Sequence, residues 1–188
     1  FQHFRKVNQA HWEAFQQNKL TKSEVLSERF VNYFKHHQME VDGHRADVLF
    51  RNGLAEAKVK YFDQTLETIV ELSKRHDLYI VTNGVTETQK RRLNQTPLHK
   101  YIKKIFISEE TGYQKPNPEF FNYVFNDIGE DERQHSIIVG DSLTSDILGG
   151  INAGIATCWF NFRGFDHNPG IIPDYEINSW KQLNDIVR

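Results

Sequence analysis

Apolar residues recur at helical spacing through the first sixty positions: Val7, Trp12 and Phe15, then Val25, Leu26, Phe30, Tyr33 and Phe34. Only two glycines, Gly43 and Gly53, fall in this stretch, and the first proline is Pro97. Average usage of ~5% would put about five prolines before that point. Thr21 or Ser23 ahead of Glu24 marks a helix start. Asp42-Gly43-His44 and Arg51-Asn52-Gly53 read as turns or helix caps. The pattern predicts a small helical bundle over residues 1–60.

From Tyr61 the period changes. Short apolar, β-branched runs at 78–81, 105–107, 137–139 and 155–160 alternate with helical stretches at 65–75, 86–93, 119–128 and 143–152. Strands alternating with helices predict right-handed crossovers and a parallel sheet carrying helices on both faces, a Rossmann-like α/β layer over 61–188. Runs this continuous in apolar residues imply burial on both faces of the sheet. No internal repeat or low-complexity linker interrupts the pattern.

Composition narrows the function classes. The 188 residues are 38% hydrophobic and 26% charged, outside the disordered range and enough for one core with a small appendage. A net charge of −2 offers no basic field for nucleic acid or an anionic membrane surface. No apolar run approaches the ~18 residues of a membrane helix. The sole cysteine, Cys158, excludes an internal disulfide, reads as a buried apolar filler and fits a reducing, cytoplasmic setting. The chain opens at Phe1 and its one methionine is Met39, so the expectation is a processed chain or part of a longer one. Phe4-Arg5-Lys6 running into Asn8-Gln9 is not a secretory pattern.

In an open parallel sheet the ligand crevice lies beyond the carboxyl ends of the strands. Those ends hold Thr82-Asn83-Gly84, then Gln114-Lys115-Pro116-Asn117-Pro118 after the second run, then Gly140-Asp141-Ser142-Leu143-Thr144-Ser145-Asp146. Each has an ordinary reading: a capped strand-to-helix turn, a solvated lysine, an aspartate that caps a helix. Together they place a hydroxyl, a lysine and two carboxylates at one edge. Thr82 and the following amides could hold a phosphate, and Asp141 with Asp146 could bind Mg²⁺, a hard ion that takes oxygen ligands. His36-His37 and His44 lack a zinc-ligand spacing and read as surface residues, as do Lys90-Arg91-Arg92 and Lys103-Lys104. Trp12 and Phe15 read as core, with stacking on a base as the sharper alternative.

In this order and spacing the residues resemble the haloacid dehalogenase superfamily, whose phosphatases carry four short motifs. Thr82-Asn83 is similar to the second motif, Lys115-Pro116 to the third, and Gly140-Asp141 with Asp146 to the fourth; Gly150-Ile151-Asn152-Ala153-Gly154 resembles its continuation. Upstream, Asn8-x3-Trp12-x2-Phe15 and Lys19-Leu20-Thr21-Lys22 resemble the helical cap of bacterial noncanonical pyrimidine nucleotidases. The resemblance implies a helical cap over 1–60 that selects the leaving group, on an α/β core over 61–188.

It also implies a mechanism. Lys115 and Thr82, with Asn83 and Gly84, would bind the phosphoryl oxygens. Asp141 would hold Mg²⁺, and Asp146 would be an outer metal ligand or the partner of Lys115. The substrate class implied is a small phosphorylated metabolite, foremost a nucleoside 5′-monophosphate. The family's first motif, Asp-x-Asp-x-Thr, supplies the nucleophile and the acid/base, and nothing before Trp12 resembles it. Phe62-Asp63-Gln64-Thr65 has one acid and stands too close to the second motif, so Asp63 reads as a helix start. The nucleophile and the strand carrying it are therefore expected outside this sequence, and residues 1–188 alone are expected to be inactive. Two other readings stand beside the phosphatase: a 2-haloacid dehalogenase, against which Gly140-Asp141 speaks, and a noncatalytic binding or regulatory protein.

Overall fold

The computed structural model describes residues 2–187, which divide into two units, one running to Ala57 and the other from Lys58. The first unit is three helices, α1 (Gln2–Gln16), α2 (Lys22–His36) and α3 (Gly43–Glu56). Thr21 is the N-cap of α2: its amide donates to Glu24 Oε2 at 2.7 Å while its hydroxyl accepts from the Glu24 amide at 3.3 Å, a reciprocal capping box. Asp42 caps α3 by accepting from the Arg45 amide at 3.0 Å. Gly43 lets α3 approach α2, since a Cβ there would stand 2.4 Å from the Ser27 carbonyl oxygen. Arg51-Asn52-Gly53, expected as a turn or cap, instead lies within α3. Packing of α3 on α2, with buried Asp47 held by Arg29, outweighs the ~1 kcal/mol that an interior glycine costs.

The three helices are also tied by charge. Buried Arg29 on α2 donates to Asn8 Oδ1 on α1 at 2.7 Å and to Asp47 Oδ1 on α3 at 2.5 Å, and Arg51 donates to Asp47 Oδ2 at 2.6 Å. Phe15 is buried, as its helical spacing suggested, whereas Trp12 is half-buried and meets Phe15 edge-on. His36, His37 and His44 are exposed.

The second unit is α/β. Its elements run α4 (Thr65–Leu72), β1 (Tyr79–Thr82), α5 (Thr86–Asn94), β2 (Lys104–Ile107), a one-turn α6 (Ser108–Thr111), α7 (Pro118–Ile128) and β3 (Ile137–Gly140). A π-helical turn at Leu143–Ile147 leads into α8 (Leu148–Ala153), followed by β4 (Ala156–Phe160), β5 (Tyr175–Ile177) and α9 (Leu183–Ile186). All strand pairs are parallel, but they form two sheets, β1-β2 and β3-β4-β5. Phe120, Phe121, Val124 and Phe125 of α7 bridge them on one face, reaching Phe106 of β2 and Ile138 of β3. On the other face Leu72 of α4 and Leu183 of α9 pack with Cys158, Phe160 and Ile177. Helices thus cover both faces, as expected of this layer.

Full burial of every strand was also expected, and β4 alone approaches it. Every residue of β1 is only half-buried, and so are Ile137, Val139 and Gly140 of β3. The reason is a cavity of about 690 Å³ between the two sheets, walled by Tyr79, Ile80 and Val81 on one side and Ile137, Ile138 and Val139 on the other. β5 has no counterpart in the sequence reading, because a three-residue Tyr-Glu-Ile run with two exposed positions carries almost no periodic signal.

Candidate active site

The carboxyl ends of β1 and β3 and the turn before α7 meet at one place, and Lys115 is its centre. Lysine is rarely buried without a partner. Here the residue is 5% exposed and its Nζ donates to Asp146 Oδ1 at 2.5 Å and to the Val81 carbonyl of β1 at 2.8 Å. Its backbone is fixed as firmly. The Lys115 amide donates to Asn83 Oδ1 at 2.9 Å, and Asn83 Nδ2 donates back to the Lys115 carbonyl at 2.8 Å. One carboxamide therefore clamps the lysine turn to the end of β1.

Asp146 lies on the π-helical turn after β3, and both of its oxygens are engaged. Oδ1 accepts from Lys115, and Oδ2 accepts from the Ser142 amide at 3.1 Å. Gly140 makes room for it, because a Cβ at that position would stand 2.3 Å from Asp146 Oδ2. Of the two roles the resemblance implied for Asp146, the geometry displays that of partner to Lys115.

Asp141 is oriented differently. Its carbonyl accepts from Trp159 Nε1 at 3.1 Å, which anchors the backbone after β3. The side chain keeps contact with solvent, yet the surrounding protein raises its pKa from the ordinary aspartate value, first by desolvation and then through the negative charge of Asp146. Arg163 and Lys115 oppose that shift. A divalent cation beside Asp141 would offset both raising effects by favouring the ionised carboxylate, whose oxygen is a suitable hard donor, so the group fits Mg²⁺. Among the described residues no three His, Cys, Asp or Glu side chains gather as a metal cluster. Asp141 would thus be one ligand beside water, phosphate oxygens and groups from elsewhere.

The turn after β1 departs in detail from its expected role. The Asn83 side chain is occupied by Lys115, and the Gly84 amide donates to Thr82 Oγ1 at 3.0 Å. At the start of α5 the Thr86 amide donates to Glu109 Oε2 at 2.7 Å. These groups serve the architecture of the loop, which leaves Thr82 as its principal side chain for an anion. Sequence reasoning missed Gln89, whose Nε2 donates to Thr82 Oγ1 at 2.7 Å, along with the contributions of Ser142 and Trp159. Gln89 stands seven residues beyond Thr82, in the first turns of α5, where a polar side chain has no signal of its own.

Comparison with known proteins gives the family of the chain. The family model described as haloacid dehalogenase-like hydrolase matches residues 2–160. The chain is 42% identical over 184 residues to the HAD-hydrolase YfnB of Bacillus subtilis, covering 98% of this chain and 78% of that protein. A crystal structure of YfnB bound to magnesium superposes with a TM-score of 0.92, over 98% of this chain and 81% of that one. Pyrimidine 5′-nucleotidase PynA of Streptococcus pneumoniae is 33% identical over 183 residues, 96% of this chain and 76% of PynA. Pyrimidine 5′-nucleotidase YjjG of Escherichia coli is 32% identical over 187 residues, 100% of this chain and 82% of YjjG.

Proposed function

Because the chain belongs to the haloacid dehalogenase-like hydrolase family, we propose that it is the larger part of a Mg²⁺-dependent phosphomonoesterase acting on nucleoside 5′-monophosphates, pyrimidine nucleotides first. The observation that carries this reading is the buried Lys115 ammonium, held by Asp146 and the Val81 carbonyl where β1 and β3 end. A cation fixed in advance at that point suits phosphoryl transfer, in which positioning and charge stabilisation supply most of the catalysis. Lys115 neutralises a phosphoryl oxygen without having to reorganise. Thr82 donates its hydroxyl to a second oxygen. Asp141 would supply a carboxylate ligand to Mg²⁺, which when bound would neutralise charge on the phosphoryl group. Asp146 keeps Lys115 in place.

The nucleophile is assigned to an aspartate outside these residues, which attacks phosphorus and breaks the bond to the ester oxygen. The alcohol leaves with a proton from an acid also outside these residues, and water then hydrolyses the aspartyl-phosphate to inorganic phosphate. A strand bearing the nucleophile would fit the cavity between β1 and β3, two half-buried strands that each pair in parallel with a neighbour on one side only. Residues 58–188 would then be the catalytic core and residues 1–57 its helical cap. No helix of the described residues is long and apolar enough to cross a membrane, and the buried, unpaired Cys158 fits a cytoplasmic enzyme.

The test is turnover by the full-length protein on a panel of nucleoside monophosphates and sugar phosphates. Pyrimidine nucleotides should be preferred and EDTA should abolish activity. Lys115→Ala and Asp141→Ala should each lower kcat by at least about 100-fold. Undiminished turnover in EDTA, or near-normal kinetics for either variant, would reject the proposal. A preference for sugar phosphates would reject the nucleotidase assignment alone.

A further inference from the structure

We propose that Gln89 is a positioning residue that makes the Thr82 hydroxyl an obligate hydrogen-bond donor to the phosphoryl group. The inference rests on the site reading above and adds to it a residue with no part in the motifs. A threonine hydroxyl has one proton and two acceptor lone pairs. At Thr82 both acceptor positions are filled, by the Gly84 amide at 3.0 Å and by Gln89 Nε2 at 2.7 Å. No acceptor among the described residues takes the proton of that hydroxyl. With both lone pairs occupied, the only hydrogen bond left for Thr82 Oγ1 to make is one in which it donates, which is what an anionic oxygen requires.

Three features make the arrangement specific. Gly84 leaves space for the Gln89 side chain to lie over the turn, since a Cβ there would stand 2.6 Å from Gln89 Cγ and Nε2. The Gln89 amide donates to Val85 O at 2.9 Å, so the residue is held in the first hydrogen-bonded turn of α5. The neighbouring main-chain donors that could have served an anion, at Gly84 and Thr86, are engaged with Thr82 and Glu109. Among the side chains of this loop, donation to an anion therefore falls on one hydroxyl whose direction Gln89 sets.

Changing Gln89 to Glu replaces the donor by an acceptor at nearly constant shape. The Thr82 proton then turns toward the carboxylate and away from the substrate. Gln89→Met removes one donor without supplying an acceptor, so the hydroxyl keeps only the Gly84 amide and its proton is less strictly directed. In the full-length enzyme, Gln89→Glu should lower kcat/KM by about 10- to 100-fold and weaken inhibition by inorganic phosphate, and Gln89→Met should lose less. The decisive measurement is the double-mutant cycle with Thr82→Val, which has no hydroxyl to orient. If Gln89 acts through Thr82, Gln89→Met should cost no more than about twofold further in that background, and Gln89→Glu should keep only the part of its loss that comes from its charge repelling the phosphoryl group.

Equal losses with and without the Thr82 hydroxyl would overturn the proposal, as would wild-type kinetics for Gln89→Glu. If Gln89→Glu fails to fold, as urea unfolding would reveal, the cycle with Gln89→Met decides by the same criterion. A wild-type enzyme that neither hydrolyses phosphomonoesters nor binds inorganic phosphate would overturn the reading of the site and this role with it. An active enzyme with additive losses overturns the role of Gln89 alone.

Discussion

Removing Asp146 should destabilise the α/β unit far more than removing an ordinary surface acid. The Lys115 side chain is 6% exposed and that of Asp146 12%, so neither charge can be rescued by water if its partner is lost. In Asp146→Ala the ammonium retains only the Val81 carbonyl at 2.8 Å, and the Ser142 amide loses its acceptor. Breaking a buried pair by deleting one partner costs about 3–5 kcal/mol, because the surviving charge stays desolvated. At 2–4 °C per kcal/mol for a chain of this size, the melting temperature should fall by about 6–20 °C. The assay is urea unfolding of the full-length protein, read as a lower midpoint at unchanged slope. The loss should persist in high salt, because buried pairs are screened much less than exposed ones. Adding Lys115→Met should return most of the stability, since a buried pair replaced by apolar groups is often nearly neutral. A loss below about 1 kcal/mol for Asp146→Ala would refute the buried-charge argument. Simple additivity in the double variant would refute it equally.

Three further outcomes follow from particular contacts. Gly140→Ala should cost about 1–3 kcal/mol by overpacking and should lower kcat, because its Cβ would displace the Asp146 carboxylate that it approaches to 2.3 Å; wild-type kinetics would show that the turn yields freely. The Glu24 carboxyl is held below its ordinary value of 4.5 by hydrogen bonds from the Thr21 amide and hydroxyl. With the folded pKa depressed, the capping box contributes its full stability above about pH 4.5 and loses it as pH falls through the lower folded value. Glu24→Gln should therefore flatten the acid limb of the stability profile, and an unchanged limb would contradict the assignment. Burial pushes the Cys158 thiol up to about 11, so iodoacetamide at pH 8 should leave the native protein almost unmodified and label it promptly in urea; rapid native labelling would disprove the burial.

Local chemistry written in consecutive residues was legible from the sequence alone. Thr21 and Glu24 announce a helix start, the switch from helical spacing to short β-branched runs separates the two units within three residues of Ala57, and Asn117-Pro118 opens α7. The order of Thr82, Lys115, Asp141 and Asp146 along the chain named the candidate site, because in a parallel α/β layer strand ends fall on one edge. The sequence could not decide which groups in that site are already committed. Lys115 reads as a solvated charge until the fold buries it against Val81 and Asp146, residues 34 and 31 positions away. The Asn83 side chain and the Gly84 amide read as phosphate ligands until they are found clamping Lys115 and closing the turn. Gln89 had no signal because its role exists only where α5 folds its side chain back over Gly84 onto Thr82. Arg51-Asn52-Gly53 shows the same limit in the other direction, a local turn signal overridden by the packing of α3 on α2. Propensity and spacing act over a few residues and can be read there. Burial, charge pairing and the direction of a hydroxyl proton depend on groups distant in sequence, and those only the tertiary structure brings together.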